Sequence, residues 1–495
     1  MIRPNRITSL LLTLILTLSF LTASGCADRV SNNSDSIDTA ITEPEATDMK
    51  SIRSKIDDDL PDKNYDGTAF TLMVRQGMEK QFYLDEQTGD VVNDAVYERQ
   101  LTVDSRFNIK YGIYPIAGGW SDQSVYLAAI RQSVLADDDA FDCIEGYAAY
   151  IGTFASEKLF GNWLDLPCID TDKPWWSQDA ADEFTINGKL FFLTGDLALS
   201  LWSNFFVILF NKTLVTDYNF PDMYELVTSG GWTLDKLKEL VKGVNRDLDG
   251  DSDLDASDQY GFAISRGNYM DVFHIIFDKP ITVKDENGIP QLNITSEEMV
   301  TMSDAILDLL YNNTGVYSIA ESSTSDQELR DMFIQNQIVL SPQYLSSVEL
   351  FRDKDTDFGI IPYPKFDDKQ SSYLTASQDG YSLFCYPITV NDLEMCSIII
   401  EALAAESYKQ VIPAYYEIAL KTKYSRDDES AVMLDLIRDN LAFNFGAINS
   451  ANIGGPVQLI RQVVQNSKGN YARVAKSSQK AITIKLNKLL EAYLD

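Results

Sequence analysis

Ala69-Phe70-Thr71-Leu72-Met73-Val74-Arg75 is a short apolar run closed by Gln76-Gly77, and the segments after it decide the fold class. Between residues 91 and 103, Val92, Ala95, Val96 and Arg99 recur at helical spacing. Residues 107–116 alternate like a strand, 125–135 return to helical spacing, and 141–145 read as a buried strand followed by Gly146-Tyr147. Strand, helix, strand, helix, strand is a βαβαβ unit, whose strands pair in parallel through crossover helices. The reading is α/β.

The pattern continues outward. Residues 205–210 read as a strand, and 234–244 as a helix with Leu234, Leu237, Leu240, Val241 and Val244 on one face. Residues 261–264 are another strand, so a second α/β lobe is expected. From about Glu394 the chain is mostly helical, ending in 481–494 with Ile482, Ile484, Leu486, Leu489 and Leu490. No internal repeat is visible.

Before the body lie two segments of another kind. Basic Arg3 and Arg6, an apolar stretch over 7–21 and small Ala23, Ser24 and Gly25 before Cys26 have the order of an export signal. Thr8, Ser9, Thr13, Thr17 and Ser19 interrupt the stretch, which falls short of the ~20 apolar residues a spanning helix needs. Residues 1–25 are therefore expected to be cleaved. Residues 26–64 are rich in Ser, Asp, Thr, Asn and Glu, bury little apolar surface, and read as a flexible tether. The remaining body, roughly 430 residues, exceeds what one core organises, so at least two lobes follow.

Composition excludes several functions. With 41 basic and 74 acidic residues the formal charge is −33, which excludes nucleic acid as a partner because phosphate binding needs a basic face. Cys143, Cys168, Cys385 and Cys396 have no close metal-type spacing and the one histidine is His274, which argues against zinc chemistry and histidine-based catalysis. A Cys385–Cys396 bridge and four free thiols both remain open.

Two resemblances sharpen this reading. Ala23-Ser24-Gly25-Cys26 resembles a bacterial lipobox, with Ala23 where Leu is usual. It implies a diacylglyceryl group on Cys26 and a protein anchored at the outer face of the cell membrane, where two or more acyl chains would hold it stably. Secretion with an incidental cysteine is the alternative. The body resembles the family 1 extracellular solute-binding proteins, the maltodextrin-binding-like group. Phe184-Thr185-Ile186-Asn187-Gly188-Lys189-Leu190-Phe191-Phe192-Leu193 matches that family's hairpin around an N-G-K turn. Leu209-Phe210-Asn211-Lys212 follows its strand ending in Y-N-K, and Trp232-Thr233-Leu234-Asp235 its helix opening. Met332 to Leu340 matches a later F-x-x-G-x-x-A-M segment loosely, with Asn336 for Gly, and Asp357 to Pro364 follows a Y-G-x-x-P-x-P strand.

The resemblance implies the two-lobed type II periplasmic-binding fold. The first lobe would take 65–182 plus 335–392, and the second 183–334 plus 393–495, with a ligand cleft between them. It also implies a monomeric receptor that captures a sugar or oligosaccharide by hinge closure and delivers it to the permease subunits of an ABC importer. Candidate ligand residues lie on loops leaving strand ends: Gln76, Trp120, Tyr147, Gln343, Tyr344, Asp379 and Tyr381. Trp120 stands after Gly118-Gly119, read as a flexible presenting loop. Trp175 and Trp176, in a polar stretch, and Trp202 from the second lobe complete the set, while Trp232 is expected to pack at a helix start.

The sharpest local pattern is Asp247, Asp249, Asp251, Asp253, Asp255 and Asp258, the spacing at which an EF-hand-type or dockerin-type loop wraps Ca²⁺. Ser252 replaces the turn glycine, Asp258 the final glutamate, and Leu254 is expected to point into the core. A structural Ca²⁺ or a solvated acidic loop both fit. The abundance of carboxylates keeps a surface glycoside hydrolase as an alternative function, although no pair stands out; an adhesin or sensory partner using the same cleft is a third.

Overall fold

A computed structural model describes residues 51–351, 354–424 and 427–494; the expected signal 1–25, Cys26 and the tether as far as residue 50 lie outside them. Among the described residues no helix is long and apolar enough to cross a membrane.

The first sheet grows from the βαβαβ unit as read. Strand β1 (Thr68–Arg75) pairs in parallel with β2 (Ile109–Ile116) and with β3 (Cys143–Tyr147), and helices α1 (Val91–Phe107) and α2 (Gln123–Ala136) make the crossovers. Asp90 caps α1 by accepting from the N–H groups of Val92 and Asn93. The second sheet contains β4 (Phe206–Asn211), β5 (Gln259–Ser265), β6 (Val316–Ile319), β7 (Ile338–Tyr344) and β8 (Phe358–Ile361). Its order is β8-β4-β7-β5, with β6 and the short Asn245–Arg246 strand both on β5. Strand β9 (Ser382–Cys385) returns to the first sheet, antiparallel to β3.

Residues 335–392 therefore do not all belong to the first lobe. β7 and β8 pair with β4 and only β9 joins the first sheet, because strand type is written locally whereas sheet membership is fixed by long-range pairing. The tail is divided as well. Helix α4 (Leu393–Glu406), assigned by sequence to the second lobe, packs against α1 of the first. The last part of the segment expected to be a tether is held to the body: Asp58 pairs with Arg106 at 2.5 Å, Lys173 with Asp59 at 2.5 Å, and Arg53 lies 4.6 Å above the Tyr408 ring. Charged partners on the body hold a segment whose own apolar content would not.

The phrases that carried the family resemblance have local physical reasons. Asn187 and Gly188 have φ of 51° and 72°, the left-handed pair that a tight hairpin turn requires, and Ile186 bridges Lys189 across it. The same turn meets the end of α5 (Tyr471–Leu494): Asn187 Nδ2 donates to Tyr493 O and Lys189 Nζ to Ala492 O, satisfying carbonyls that a helix terminus leaves open. Asn211 accepts from Leu214 N and Thr233 from Lys236 N, each capping the helix it precedes. The helix after Thr233, α3 (Leu234–Val241), stops short of Val244, because Gly243 turns left-handed at φ 73°. Trp232 is fully buried there, donating to Pro362 O at 2.9 Å.

Two stretches cross between the sheets. The chain leaves the first sheet after Leu193, which bridges Phe384, and enters the second at Phe206; it returns between Ile361 and Ser382. The crossings are bonded side by side, Phe206 N to Ala376 O at 3.0 Å and Gln378 N to Asn204 O at 2.9 Å. At the returning end, Arg75 and Glu145 form a buried pair: Nε and Nη2 of Arg75 lie 2.8 and 2.5 Å from Glu145 Oε1, and Ser382 Oγ donates to the same oxygen. Removing one partner of such a pair strands a buried charge, so Glu145→Ala is expected to cost about 3–5 kcal/mol. Chemical denaturation of the variant against wild type measures it.

Candidate ligand-binding cleft

Beside these crossings lies a concavity that encloses about 800 Å³ of space between protein atoms, part of it open to solvent. The first lobe contributes Trp120, Ala148 and Ala149; the returning crossing contributes Ala376 to Asp379 and Tyr381. The second lobe adds Phe206 and residues around Asn268 to Ile275, and the C-terminal region adds Phe443, Asn444 and Gln458 among others.

Several contacts fix this wall. The N–H groups of Ala148 and Ala149 donate to the carbonyls of Tyr381 and Asp379, both at 3.1 Å, so the start of the helix after β3 is sewn to the crossing. Asp271 is held by a two-pronged fork from Arg461, whose Nη2 also donates to Asn268 at 2.7 Å and whose Nη1 reaches Glu321 at 3.2 Å. Burial lifts the Asp271 carboxyl above the usual range while the fork pulls it back. The Asp379 side chain meets solvent inside the concavity yet is enclosed by protein on most sides, and this desolvation raises its pKa against the pull of Arg461 and of a hydrogen bond from Gln378.

The sequence candidates divide. Trp120, Asp379 and Tyr381 line the cavity. Tyr147 stands next to the wall, its ring 6.4 Å from that of Trp120 and 4.6 Å from the Arg75 guanidinium. Trp120 is 56% exposed, but its loop is not free: Tyr150 Oη donates to Gly118 O, and a Cβ at Gly118 would lie 2.6 Å from a Tyr126 ring carbon. Gly118 serves close packing rather than flexibility.

The other six lie elsewhere. Gln76 is exposed at the end of β1, off the cavity wall. Trp175 and Trp176 are buried and donate to the two oxygens of Glu401 on α4, at 2.8 and 2.9 Å, so a polar neighbourhood in sequence hides a pair of indoles anchored from a distant helix. Trp202 packs on Phe205 and Tyr416. Gln343 is fully buried within β7, bonded to Ser341, and Tyr344 stacks 5.0 Å from Tyr269; both sit in the sheet rather than on a loop beyond it. Asn268, Asp271, His274 and Gln458 went unread because they lie on short helical turns with no periodic or motif signal.

The acidic loop forms part of the pattern expected of it. Carboxylate oxygens of Asp247, Asp249 and Asp258 lie within 4.8 Å of one another. Asp258 is buried and closes the loop by accepting from Leu248 N and Asp255 N, and Ser252, in the glycine position, has φ 74°. Asp251 and Asp255 instead accept backbone N–H groups of Asp253 and Ser257, outside the three-carboxylate group, as is Asp253. Leu254 is 48% exposed rather than turned into the core. The four cysteines are free thiols, Cys143 donating to Cys385 O and Cys396 to Asp142 O.

His274 gives the cleft a pH signature. Burial drops its pKa to about 4 from an ordinary 6.5, against a hydrogen bond to the Asp271 backbone. Protonation then favours the unfolded chain, so this group's contribution is intact above pH 6.5 and is lost as pH falls towards 4, about 3 kcal/mol by pH 4. Denaturant unfolding at pH 7 and pH 4 is expected to show that extra loss in wild type and not in His274→Gln.

No protein-family model and no curated protein sequence matches the chain. Solved structures do. The galacto-N-biose-/lacto-N-biose I-binding protein of an ABC transporter from Bifidobacterium longum superposes with TM-score 0.58 at 11% identity, over 86% of this chain and 99% of that one. The cyclic α-maltosyl-1,6-maltose binding protein of Arthrobacter globiformis gives 0.56 at 15%, over 85% and 99%. UspC of M. tuberculosis gives 0.53 at 13%, over 84% and 100%. Two sheets joined by paired crossings, and matched over nearly the whole length of these proteins, identify the chain's architecture as the two-lobed type II periplasmic-binding-protein fold.

Proposed function

We propose that this chain is a carbohydrate receptor, exported, tethered to the outer face of the cell membrane by a lipid on Cys26, that hands its sugar to an ABC importer permease. The observation that carries the reading is the cavity at the crossings, where aromatic Trp120, Phe206, Tyr381 and Phe443 stand with Asn268, Gln378 and Asp379. Rings cover the apolar faces of a sugar while carboxylates and amides bond its hydroxyls. The structural likeness to proteins solved with lacto-N-biose, acarbose and maltotetraose supports the same class of ligand. A glycoside hydrolase needs two working carboxylates. Here Asp271 is committed to Arg461, leaving Asp379 as the one cavity-lining carboxylate without an ion pair among the described residues, which favours a receptor.

Thermal unfolding of the mature chain, kept soluble by Cys26→Ser, against mono- and oligosaccharides tests this. A cognate sugar at a hundred times its dissociation constant adds ~2.7 kcal/mol and is recovered unchanged, and Trp120→Ala weakens it without lowering the ligand-free midpoint. Consumption of the sugar would point to an enzyme, and a panel that shifts nothing would remove carbohydrate as the cargo.

The acidic loop is proposed to hold a structural Ca²⁺ between Asp247, Asp249 and Asp258. A hydrogen bond from Asp251 N–H lowers the Asp249 carboxyl, but partial desolvation and the charges of Asp251, Asp258 and Asp247 outweigh it and raise the pKa, a repulsion that a cation would relieve. Calcium at ten times its dissociation constant is expected to add ~1.4 kcal/mol to stability, an increment lost in Asp249→Asn. An equal midpoint in calcium and in chelator would dismiss the ion.

A further inference from the structure

The charged lining of the cleft is one-sided, although amides and hydroxyls of both characters stand beside it. Among the described residues Asp271 and Asp379 are the charged side chains on its wall, and no Lys or Arg joins them there. Arg461 lies outside the wall and bonds Asp271. Asp379 has no cation within ion-pair distance among the described residues, and its side-chain partner is the Gln378 amide. Its charge still reaches Asp271, raising that carboxyl further, so the two anions repel across the site.

A second, independent group points the same way. His274 lines the same cavity, is 6% exposed, and leaves Nε2 without a partner. Its imidazole is neutral and hydrogen-bonded to the Asp271 backbone through the other ring nitrogen, so Nε2 carries a lone pair and can only accept. Both carboxylates and this nitrogen are acceptors. Hydroxyls donate and accept alike and would suit a mixed lining. A wall whose charges are all negative, and whose orphaned buried atom accepts, is matched by a ligand group that brings donors and positive charge. Trp120, Tyr381 and Phe443 line the same wall, and an aromatic ring whose face meets a cation attracts it.

We propose that the ligand of this cleft is a saccharide carrying a protonated amine, with the ammonium set against Asp379 among the aromatic rings of the wall. The proposal rests on the carbohydrate-receptor reading and narrows its substrate class. It also accounts for the lack of a charged Lys or Arg on the wall among the described residues, which leaves uronic acids and sugar phosphates without a counter-charge.

Isothermal titration of the mature Cys26→Ser chain tests it with matched sets: amino-saccharides of gluco, galacto and manno configuration, from monomer to trimer, each beside its N-acetylated and hydroxyl counterparts. One amino form is expected to bind about tenfold or more tightly than both counterparts, the size of a charge-assisted contact. Asp379→Asn is expected to bring those affinities together, and Asp379→Glu to keep part of the preference. If that substitution prevents folding, the wild-type comparison within each set still decides. Neutral or N-acetylated sugars binding as tightly as their amines would overturn the amine while leaving the receptor intact, with Asp379 then bonding hydroxyls. Binding by no member of the sets, or of the neutral panel, would sink both readings together.

Discussion

The buried pair of Arg75 and Glu145 is the constraint on which the architecture turns. Arg75 ends β1, Glu145 lies in β3, and Ser382, which donates to the same carboxylate oxygen, begins β9. The guanidinium reaches further, donating to Gly380 O at 3.1 Å and lying under the Tyr147 ring. A pair so deeply desolvated is tolerated when its remaining donors and acceptors are met, and here they are met by the crossing that returns from the second lobe. The polar centre of the first sheet and the position of the cleft wall are thus one network. Tyr126, whose hydroxyl donates to Glu145 O, and Tyr150, whose hydroxyl donates to Gly118 O, extend it to the loop that carries Trp120.

From that centre the division of labour follows. The first lobe supplies few residues to the cavity, Trp120 among them, whereas the crossing, the second lobe and the C-terminal region supply most. The segment 376–381 belongs to the wall and to the connection between lobes at once. Its backbone is bonded to Phe206, Asn204 and the start of the helix at Ala148, so a ligand set against Asp379 as proposed would touch the element through which the lobes are joined. Under the proposed reading, binding and lobe geometry would share the same few residues, the arrangement that closure around a ligand would need.

The sequence made local features legible and left long-range ones hidden. The βαβαβ unit was readable because periods of two and of 3.6 are properties of a few neighbouring residues. Asn187-Gly188 was readable because few residues adopt two consecutive left-handed conformations. The sheet to which β7 and β8 belong was not, since a hydrophobic run looks the same in either lobe. Trp175 and Trp176 looked exposed because their neighbours are polar; the acceptor that makes burial possible, Glu401, is 226 and 225 residues away. Arg461 and Asp271 were invisible for the same reason, being 190 residues apart and joined only by folding.

The part of the site that was legible carries its own lesson. Trp120, Asp379 and Tyr381 were found by asking which loops leave the ends of strands, a geometric argument that needs no partner. Gln343 and Tyr344 failed under the same argument, because β7 runs on through them, and its antiparallel pairing with β4 extends to Tyr344. A strand whose neighbour is antiparallel continues as long as that neighbour offers hydrogen bonds, and β4 offers them as far as Phe206, itself a residue of the cavity wall. The end of β7 and the edge of the cleft are therefore set by where the crossing becomes β4. What determines the site in this fold is the point at which the connecting chain enters the second sheet, and no hydrophobic pattern in β7 alone could have located it.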